Sequence, residues 1–227
     1  MNPHPLDRPV WTALTSLQAP LAEGDALARR YPADIVPFAA MADDRVESRR
    51  ALAALVAPGD TVVLAEAEDV VLPEELSAVS VAEAVQMLAA LPLPQVEDAR
   101  IKSLAAADAA EMLELATLTR PGPFSLKALS LGRFWGIRID GRLAAMAGER
   151  MRQPGFTELS GVCTHPDLRG HGLGRTLSLH VAAQIVARGD TPYLHAYAGN
   201  AAAIGLYESI GFRVRRPMNV VVAGRGA

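Results

Sequence analysis

The spacing of apolar residues predicts the regular elements in the second half of the chain. A stripe of apolar residues about one helical turn apart predicts an amphipathic helix over residues 173–188 that ends at Gly189. The stripe consists of Leu173, Leu177, Val181 and Ile185. Residues 134–139 and 142–147 flank Asp140-Gly141, which is the strongest signal for a two-residue hairpin turn. We therefore expect a β-hairpin there.

Further elements are predicted on both sides of these. Residues 156–164 and 192–198 have the composition of strands, and the helix between them requires these two strands to run parallel. A helix is expected over 200–210, followed by one or two strands over 212–222, and an amphipathic helix over 105–119 precedes the hairpin. The sequence predicts an α/β fold in which a mixed sheet carries helices on both faces.

The first hundred residues are less regular. Residues 45–56 have helical spacing, 61–65 form a short apolar run typical of a buried strand, and 79–90 indicate a second helix or a strand-helix unit. The run Leu91-Pro92-Leu93-Pro94 predicts a linker. We therefore expect a small N-terminal α/β region over residues 1–95 and a main domain over 100–227. That the first region is a degenerate copy of the second is an alternative interpretation.

Composition restricts the class of protein. The chain has 227 residues, of which 50% are hydrophobic, and this is enough for a buried core. A net charge of -3 gives no general attraction to nucleic acid or to anionic membranes. No apolar run approaches the roughly 20 residues that span a bilayer, and the start lacks the pattern of a signal peptide. With Cys163 as the only cysteine, no internal disulfide forms, and we expect a cytoplasmic protein.

A glycine-rich loop begins the helix at residue 173. Residues 169–174 read Arg-Gly-His-Gly-Leu-Gly and fit the pattern R-x-x-G-x-G, with Arg175 directly after. The first turn of a helix has backbone N–H groups without internal partners and a partial positive charge. Glycines remove the Cβ atoms that would keep a phosphate away from those amides, and the arginines add charge. The loop therefore predicts a phosphate site, although an ordinary strand-to-helix turn also uses glycine.

Two motifs in order resemble a known family. The run V-C-T-H-P-D-L-R-G-H-G-L-G, residues 162–174, resembles the acyl-CoA-binding motif of the GNAT-type N-acetyltransferases. The later run N-A-A-A-I-G-L-Y-E-S-I-G-F, residues 200–212, is similar to the closing segment of that family. The resemblance covers roughly residues 100–222. It implies a GNAT-like fold and transfer of an acetyl or short acyl group from acetyl-CoA, as co-substrate, to a primary amine by direct attack.

The resemblance also implies where the cofactor binds. In the family, two parallel strands splay apart and expose strand amides that bind pantetheine, while the loop amides bind pyrophosphate. The residues that match these positions are Val162, Cys163, Thr164, Arg169, Gly170, His171, Gly172, Leu173, Gly174, Arg175 and Asn200. Asn200 is also a good N-cap for the following helix, and the two roles are compatible.

The resemblance also implies catalytic roles for individual residues. Tyr207, in Leu-Tyr-Glu, matches the family's general acid, because a phenol that is protonated at neutral pH can protonate a leaving thiolate. The resemblance implies that the amine proton goes to Glu158, which matches the position of a general base, or to a water molecule. An equal alternative is that Glu158 is a solvated residue of the strand with no catalytic role. Glu149 is a weaker substitute, and His195 is a third candidate.

Other interpretations remain at this point. A protein that binds acetyl-CoA without turnover would carry the same motifs, whereas a P-loop or dinucleotide site lacks its further signature residues. The histidines have no metal-ligand spacing, so no metal site is predicted, and Cys163 is expected in the core. The acceptor is expected to be a small-molecule or peptide amine, with no nucleic acid or membrane partner. A homodimer is an open alternative.

Overall fold

The computed structural model describes residues 4–90 and 92–226. Its α-helices are α1 (Pro9–Leu14), α2 (Val46–Leu55), α3 (Ala109–Thr119), α4 (Leu173–Ala187) and α5 (Ala201–Ser209). Its strands are β1 (Glu23–Gly24), β2 (Ala28–Arg30), β3 (Ala39–Met41), β4 (Thr61–Glu66), β5 (Leu76–Ala89), β6 (Ile101–Leu104), β7 (Phe134–Ile139), β8 (Arg142–Gln153), β9 (Phe156–Thr164), β10 (Thr191–Tyr197) and β11 (Phe212–Arg225). Within the described ranges, no helix is long and apolar enough to cross a membrane.

Eight strands form one mixed sheet in the order β4-β11-β5-β10-β9-β8-β7-β6. The predicted hairpin is β7 and β8, whose turn places Asp140 and Gly141 at positive φ of 50° and 79°. Strands β9 and β10 are parallel, as the helical crossover through α4 requires, and the other pairs in the sheet are antiparallel. The mixed α/β architecture expected from the sequence is therefore confirmed.

Both parts of the chain contribute to this sheet. The prediction of a helix within 79–90 is wrong, because β5 is one strand of 14 residues that lies between β10 and β11. The expected boundary near residue 95 falls between β5 and β6, so strands on both sides of it pair in the same sheet. Leu91, the first residue of the predicted linker, lies outside the described residues. Strands β4 and β5 of the N-terminal region are therefore part of the main sheet, whereas β1, β2 and β3 form a separate three-stranded sheet.

Helices cover both faces of the sheet. Helix α4 packs on β7 to β10, and its stripe Leu177, Val181 and Ile185 is fully buried in the largest core cluster. The opposite face is covered by α3 around Met112 and Leu115 and by α1 around Val10. Successive side chains of a strand point to opposite faces of the sheet, so each strand contributes side chains alternately to the cores on the two faces. This alternation also decides which polar residues of β8 and β9 face the site described next.

Candidate active site

The glycine-rich loop presents a run of unpaired backbone amides. Helix α4 begins after Gly172, and its first internal hydrogen bond runs from Thr176 N to Gly172 O at 2.9 Å. Among the described residues, the amides from Gly170 to Arg175 have no hydrogen-bond acceptor. They lie at the positive end of a 15-residue helix, and most of the loop is exposed to solvent. This arrangement can bind a phosphate or pyrophosphate group.

The glycines give the loop its shape. Gly170 and Gly172 adopt left-handed φ values of 82° and 74°, which residues with a Cβ rarely adopt. A Cβ at either position would meet no protein atom within 4 Å, so the space above these amides is open. A Cβ on Gly174 would stand 3.5 Å from Thr164 Oγ1. The loop therefore lies directly against the end of β9.

Strands β9 and β10 separate beside this loop. Their parallel pairing covers Thr191 with Phe156, Pro192 with Thr157, and Tyr193 with Glu158, and it stops there. Strand β9 continues to Thr164 and β10 to Tyr197, so the last residues of β9 have no partner on the β10 side. A splay of this kind leaves strand amides that can bind an extended amide-containing chain.

A cavity of about 250 Å³ opens between the separated strands. Val162 of β9, Ala196 of β10, and Asn200 and Tyr207 near and within α5 form one side of it. The loop Arg120-Pro121-Gly122-Pro123, which follows α3, forms another side. Asn200 is the N-cap of α5, where its Oδ1 accepts a hydrogen bond from Ala203 N at 3.1 Å. The fold thus brings both sequence motifs to one cavity.

Tyr207 reaches this cavity from a buried position. Its side chain is 8% exposed, and its ring packs edge-on against Phe212 at 6.1 Å. Its hydroxyl has no hydrogen-bond partner within the described part of the chain. Burial raises the pKa of Tyr207 to about 12, and the nearby Cys163 contributes to the same shift. Tyr207 is therefore a protonated donor throughout the physiological pH range.

Glu158 lies behind the cavity wall. Its carboxylate is fully buried and accepts hydrogen bonds from Arg150 Nε at 2.8 Å, Arg150 Nη2 at 2.7 Å and Met151 N at 3.3 Å. Burial alone would raise the pKa of Glu158, but the charge and hydrogen bonds of Arg150, with a hydrogen bond from His195, hold that pKa well below its usual range. The alternative of a solvated strand residue is therefore wrong. Both oxygens are occupied, which makes Glu158 a weak base.

A polar chain connects Glu158 to the N-terminal region. His195 Nδ1 lies 2.8 Å from Glu158 Oε1, and His195 Nε2 lies 3.0 Å from Gln86 Nε2. Arginine only donates, so the bond from Arg215 Nη1 to Gln86 Oε1 at 2.9 Å orients the Gln86 amide. Gln86 Nε2 then donates to His195 Nε2, and the ring proton of His195 is on Nδ1, facing Glu158. Both nitrogens of His195 are thus engaged.

Comparison with known proteins identifies the family. The family model described as FR47-like protein matches residues 135–221. A crystal structure from Novosphingobium aromaticivorans, described as an acetyltransferase of the GNAT family, is 45% identical with a TM-score of 0.94. That match covers 99% of this chain and 100% of the other. The chain belongs to the GNAT family of acetyltransferases.

More distant matches share the fold or part of the sequence. A GCN5-related N-acetyltransferase from Kribbella flavida shares the fold, with a TM-score of 0.61 at 16% identity over 96% of this chain and 92% of its own. The ribosomal protein bS18-alanine N-acetyltransferase of Escherichia coli is 38% identical over 90 residues, which are 38% of this chain and 60% of that protein. The Salmonella typhimurium enzyme is 42% identical over 77 residues, 34% of this chain and 51% of its own. The match spans about half to three fifths of these curated relatives.

The other candidate residues of this GNAT chain lie away from the cavity. Cys163 is buried in the core beside α3, and burial raises the pKa of its thiol to about 11. Glu149 is buried on the α4 face, where Arg188 Nη2 donates to it at 2.5 Å. His171 is exposed in the loop, with Nδ1 within 3.2 Å of Leu168 O. In the described ranges, no three His, Cys, Asp or Glu side chains come together as a metal site.

Arg150 and Gln86 lie beside Glu158 and His195, although no sequence motif indicates either residue. A register shift between Glu149 and Arg152 forms a β-bulge opposite Glu158, and bulges often re-aim a side chain beside an active site. Here Arg150 points into the cavity wall. Gln86 comes from β5, the strand whose position the sequence did not predict. Side chains alternate between the two faces of β8, so Arg150 is on the same face as the buried Met146. This pattern indicates that the Arg150 side chain faces the interior.

Proposed function

We propose that this protein is an N-acetyltransferase that transfers an acetyl or short acyl group from acetyl-CoA to a primary amine by direct attack. The observation that carries the proposal is the cavity lined by Tyr207 between two splayed strands. The unpaired amides of residues 170–175 lie near it, because the Cβ position of Gly174 is 3.9 Å from Val162 in the cavity wall. A diphosphate, a pantetheine amide chain and a thioester each have a matching surface there. Family membership supports the same chemistry.

Each part of the coenzyme would have its own contacts. The amides from Gly170 to Arg175 and the exposed side chain of Arg169 would bind the pyrophosphate. The edge of residues 162–164 that faces β10, where strand pairing has stopped, and the side chain of Asn200 would bind pantetheine. The amide of Val162, at the cavity wall, would polarise the thioester carbonyl.

The reaction then needs two proton movements. The amine nitrogen bonds to the acyl carbon, the carbon–sulfur bond breaks, and Tyr207 gives its proton to the departing thiolate. Tyr207 recovers a proton from solvent. The amine proton goes to water rather than to Glu158, because Glu158 does not line the cavity and both its oxygens are occupied. Glu158 instead holds Arg150 and His195 in the wall.

The relatives suggest the kind of acceptor and the compartment. The matched enzymes of E. coli and Salmonella are named for acetylation of an alanine of a ribosomal protein, so a peptide-type amine is supported beside a small molecule. The single buried cysteine suits a reducing cytoplasm, where acetyl-CoA is available.

Calorimetric titration with acetyl-CoA, followed by release of CoA thiol with a panel of amines, tests this proposal. We expect binding without any amine and thiol release that depends on the amine. Failure to bind acetyl-CoA would overturn the proposal. Binding without turnover on every amine would instead support a catalytically silent acetyl-CoA sensor, the alternative that carries the same loop.

A further inference from the structure

The charges around the cavity are unbalanced. Arg120 and Arg150 are the two side chains on its wall with a permanent charge, and no aspartate or glutamate from residues 4–90 or 92–226 lines it. Because the Glu158 carboxylate lies behind Arg150, it neutralises that residue without facing the cavity. A multiply charged amine would therefore enter a space with no carboxylate to receive its second cation.

Arg150 still has donors to offer. Two of its five N–H groups bind Glu158, through Nε and Nη2. Its Nη1 has no hydrogen-bond partner among the described residues and stands 3.9 Å from the Cβ position of Gly122, in the loop that closes the cavity. The guanidinium also stacks on Phe38, with Cζ 4.8 Å from the ring centre. The donor is therefore fixed in place before any ligand binds.

Arg120 stands at the mouth of the same cavity. It ends α3 in a left-handed conformation, with φ 51° and ψ 58°, which is uncommon for a residue other than glycine. Its side chain is exposed and has no hydrogen bond within the described ranges. Together, Arg120 and Arg150 place donors for oxygen at the entrance and at the wall.

We propose that the acceptor is an α-aminoacyl group, that is, a primary amine with a carboxyl-derived oxygen on the neighbouring carbon, and that Arg150 binds this oxygen. The inference rests on the proposed function and narrows its substrate class. A free amino acid and the N-terminal residue of a peptide both carry this chemistry. The cavity of about 250 Å³ has room for a small side chain beside the acyl group. We expect polyamines to be poor acceptors, because no carboxylate of the described residues lines the cavity.

Matched amines test the substrate class. Alanine, alaninamide and an alanine-led tripeptide carry the oxygen, ethylamine lacks it, and spermidine carries extra cations instead. Rates are compared per neutral amine, because the amine pKa values differ. We expect kcat/KM to be about 10- to 100-fold higher for alaninamide or the tripeptide than for ethylamine, the effect of one hydrogen bond to a charged group. If alanine is preferred over alaninamide, the oxygen that Arg150 binds belongs to a free carboxylate. If alaninamide is preferred, it belongs to an amide or peptide carbonyl.

Variants test the role of Arg150. Arg150→Lys keeps the charge beside Glu158 but loses the planar fork, and the double variant Arg150→Met with Glu158→Gln removes the pair together. We expect both to lower kcat/KM for alaninamide about 10-fold or more beyond any loss that the same variant shows with ethylamine, because only alaninamide carries the oxygen that Arg150 binds. Acetyl-CoA affinity is measured for each variant separately. Arg45→Lys, at a side chain 82% exposed on another part of the chain, is the control.

The outcomes separate the two proposals. If ethylamine or spermidine is acetylated as fast as alaninamide, or if the Arg150 variants lose activity equally on all amines, this inference is wrong and the acetyltransferase proposal stands. If acetyl-CoA does not bind to the unmodified protein, the proposed function itself is wrong. Circular dichroism of each variant confirms folding, and the double variant keeps the test valid should the single one unfold.

Discussion

Arg150 binds Glu158 through two parallel hydrogen bonds, from Nε at 2.8 Å and from Nη2 at 2.7 Å, across the β-bulge between β8 and β9. The carboxylate is fully buried and the guanidinium is 13% exposed. A pair this well buried is neutral as a unit, but either partner alone would be an uncompensated charge in the core. The pair therefore sets the geometry of the cavity wall.

Replacing one partner should destabilise the fold strongly. We expect Glu158→Gln to lower the free energy of unfolding by about 3–5 kcal/mol at neutral pH, because it leaves Arg150 without its countercharge. Urea unfolding followed by circular dichroism measures the change. Asp34→Asn, which breaks the exposed pair of Asp34 and Lys127, is the matched control and should cost under about 1 kcal/mol. Equal effects of the two substitutions would contradict the structural role of the buried pair.

The same pair predicts a dependence on pH. The pKa of folded Glu158 lies below its ordinary value of 4.5, so the stabilisation is complete above that value and is lost as the pH falls toward the folded pKa. The difference in unfolding free energy between the natural protein and Glu158→Gln should thus be constant from pH 7 to about 5 and shrink below about 4.5. A difference that grows on acidification would show that the carboxyl is neutral in the fold.

The glycine loop allows a test with an internal control. Gly172→Ala should weaken acetyl-CoA binding at least roughly 10-fold, because the new Cβ would project into the space above the free amides. Gly189→Ala is the control, because Gly189 also has a left-handed φ, 88°, and no atom within 4 Å of its Cβ position. It lies past the other end of α4, away from the loop. Both should cost about 1–2 kcal/mol of stability. Calorimetric titration should show a loss of affinity for Gly172→Ala only.

Local signals were sufficient for much of the fold. The Asp140-Gly141 turn, the stripe of α4 and the N-cap Asn200 each depend on residues a few positions apart, and the structure has all three. The glycine-rich loop was predictable for the same reason, since its glycines and the start of α4 are contiguous in sequence.

Long-range pairing accounts for what the sequence did not show. Strand β5 is rich in alanine, which favours helix locally, and becomes a strand through its pairing with β10 and β11, more than 100 residues away. Gln86 could therefore not be placed beside His195. Glu158 could not be recognised as ion-paired, because its contact with Arg150 depends on a bulge whose position no local pattern specifies.

Tyr207 should be separable from cofactor binding. Tyr207→Phe removes the proton donor but keeps the ring that packs on Phe212, so we expect kcat to fall roughly 10- to 1,000-fold with acetyl-CoA affinity retained. Tyr31→Phe, which removes a buried hydroxyl bonded to Gln18 outside the cavity, should leave kcat within about 3-fold. Thiol release and titration measure the two quantities. Unchanged turnover in Tyr207→Phe would assign the acid to another group.

The identity of the base predicts how the rate depends on pH. Glu158 is ion-paired and both nitrogens of His195 are engaged, so the proposed mechanism gives the amine proton to water. In that mechanism, only amine that is already neutral reacts. The rise of kcat/KM with pH should therefore follow the pKa of each amine. Two acceptors whose amines differ by about two pKa units, such as alaninamide and alanine, should give inflections separated by about the same amount.

A protein base would give a different profile. If His195 accepted the proton, the inflection would be the same for every amine, and His195→Asn would abolish it. Under water catalysis, His195→Asn should lower the rate through loss of the Gln86 and Glu158 contacts, with the inflection still following the amine. The upper limb adds a check, because the pKa of Tyr207 is about 12, so loss of its proton should not reduce the rate below about pH 11. Profiles measured for both amines and both proteins therefore decide whether water or His195 is the base.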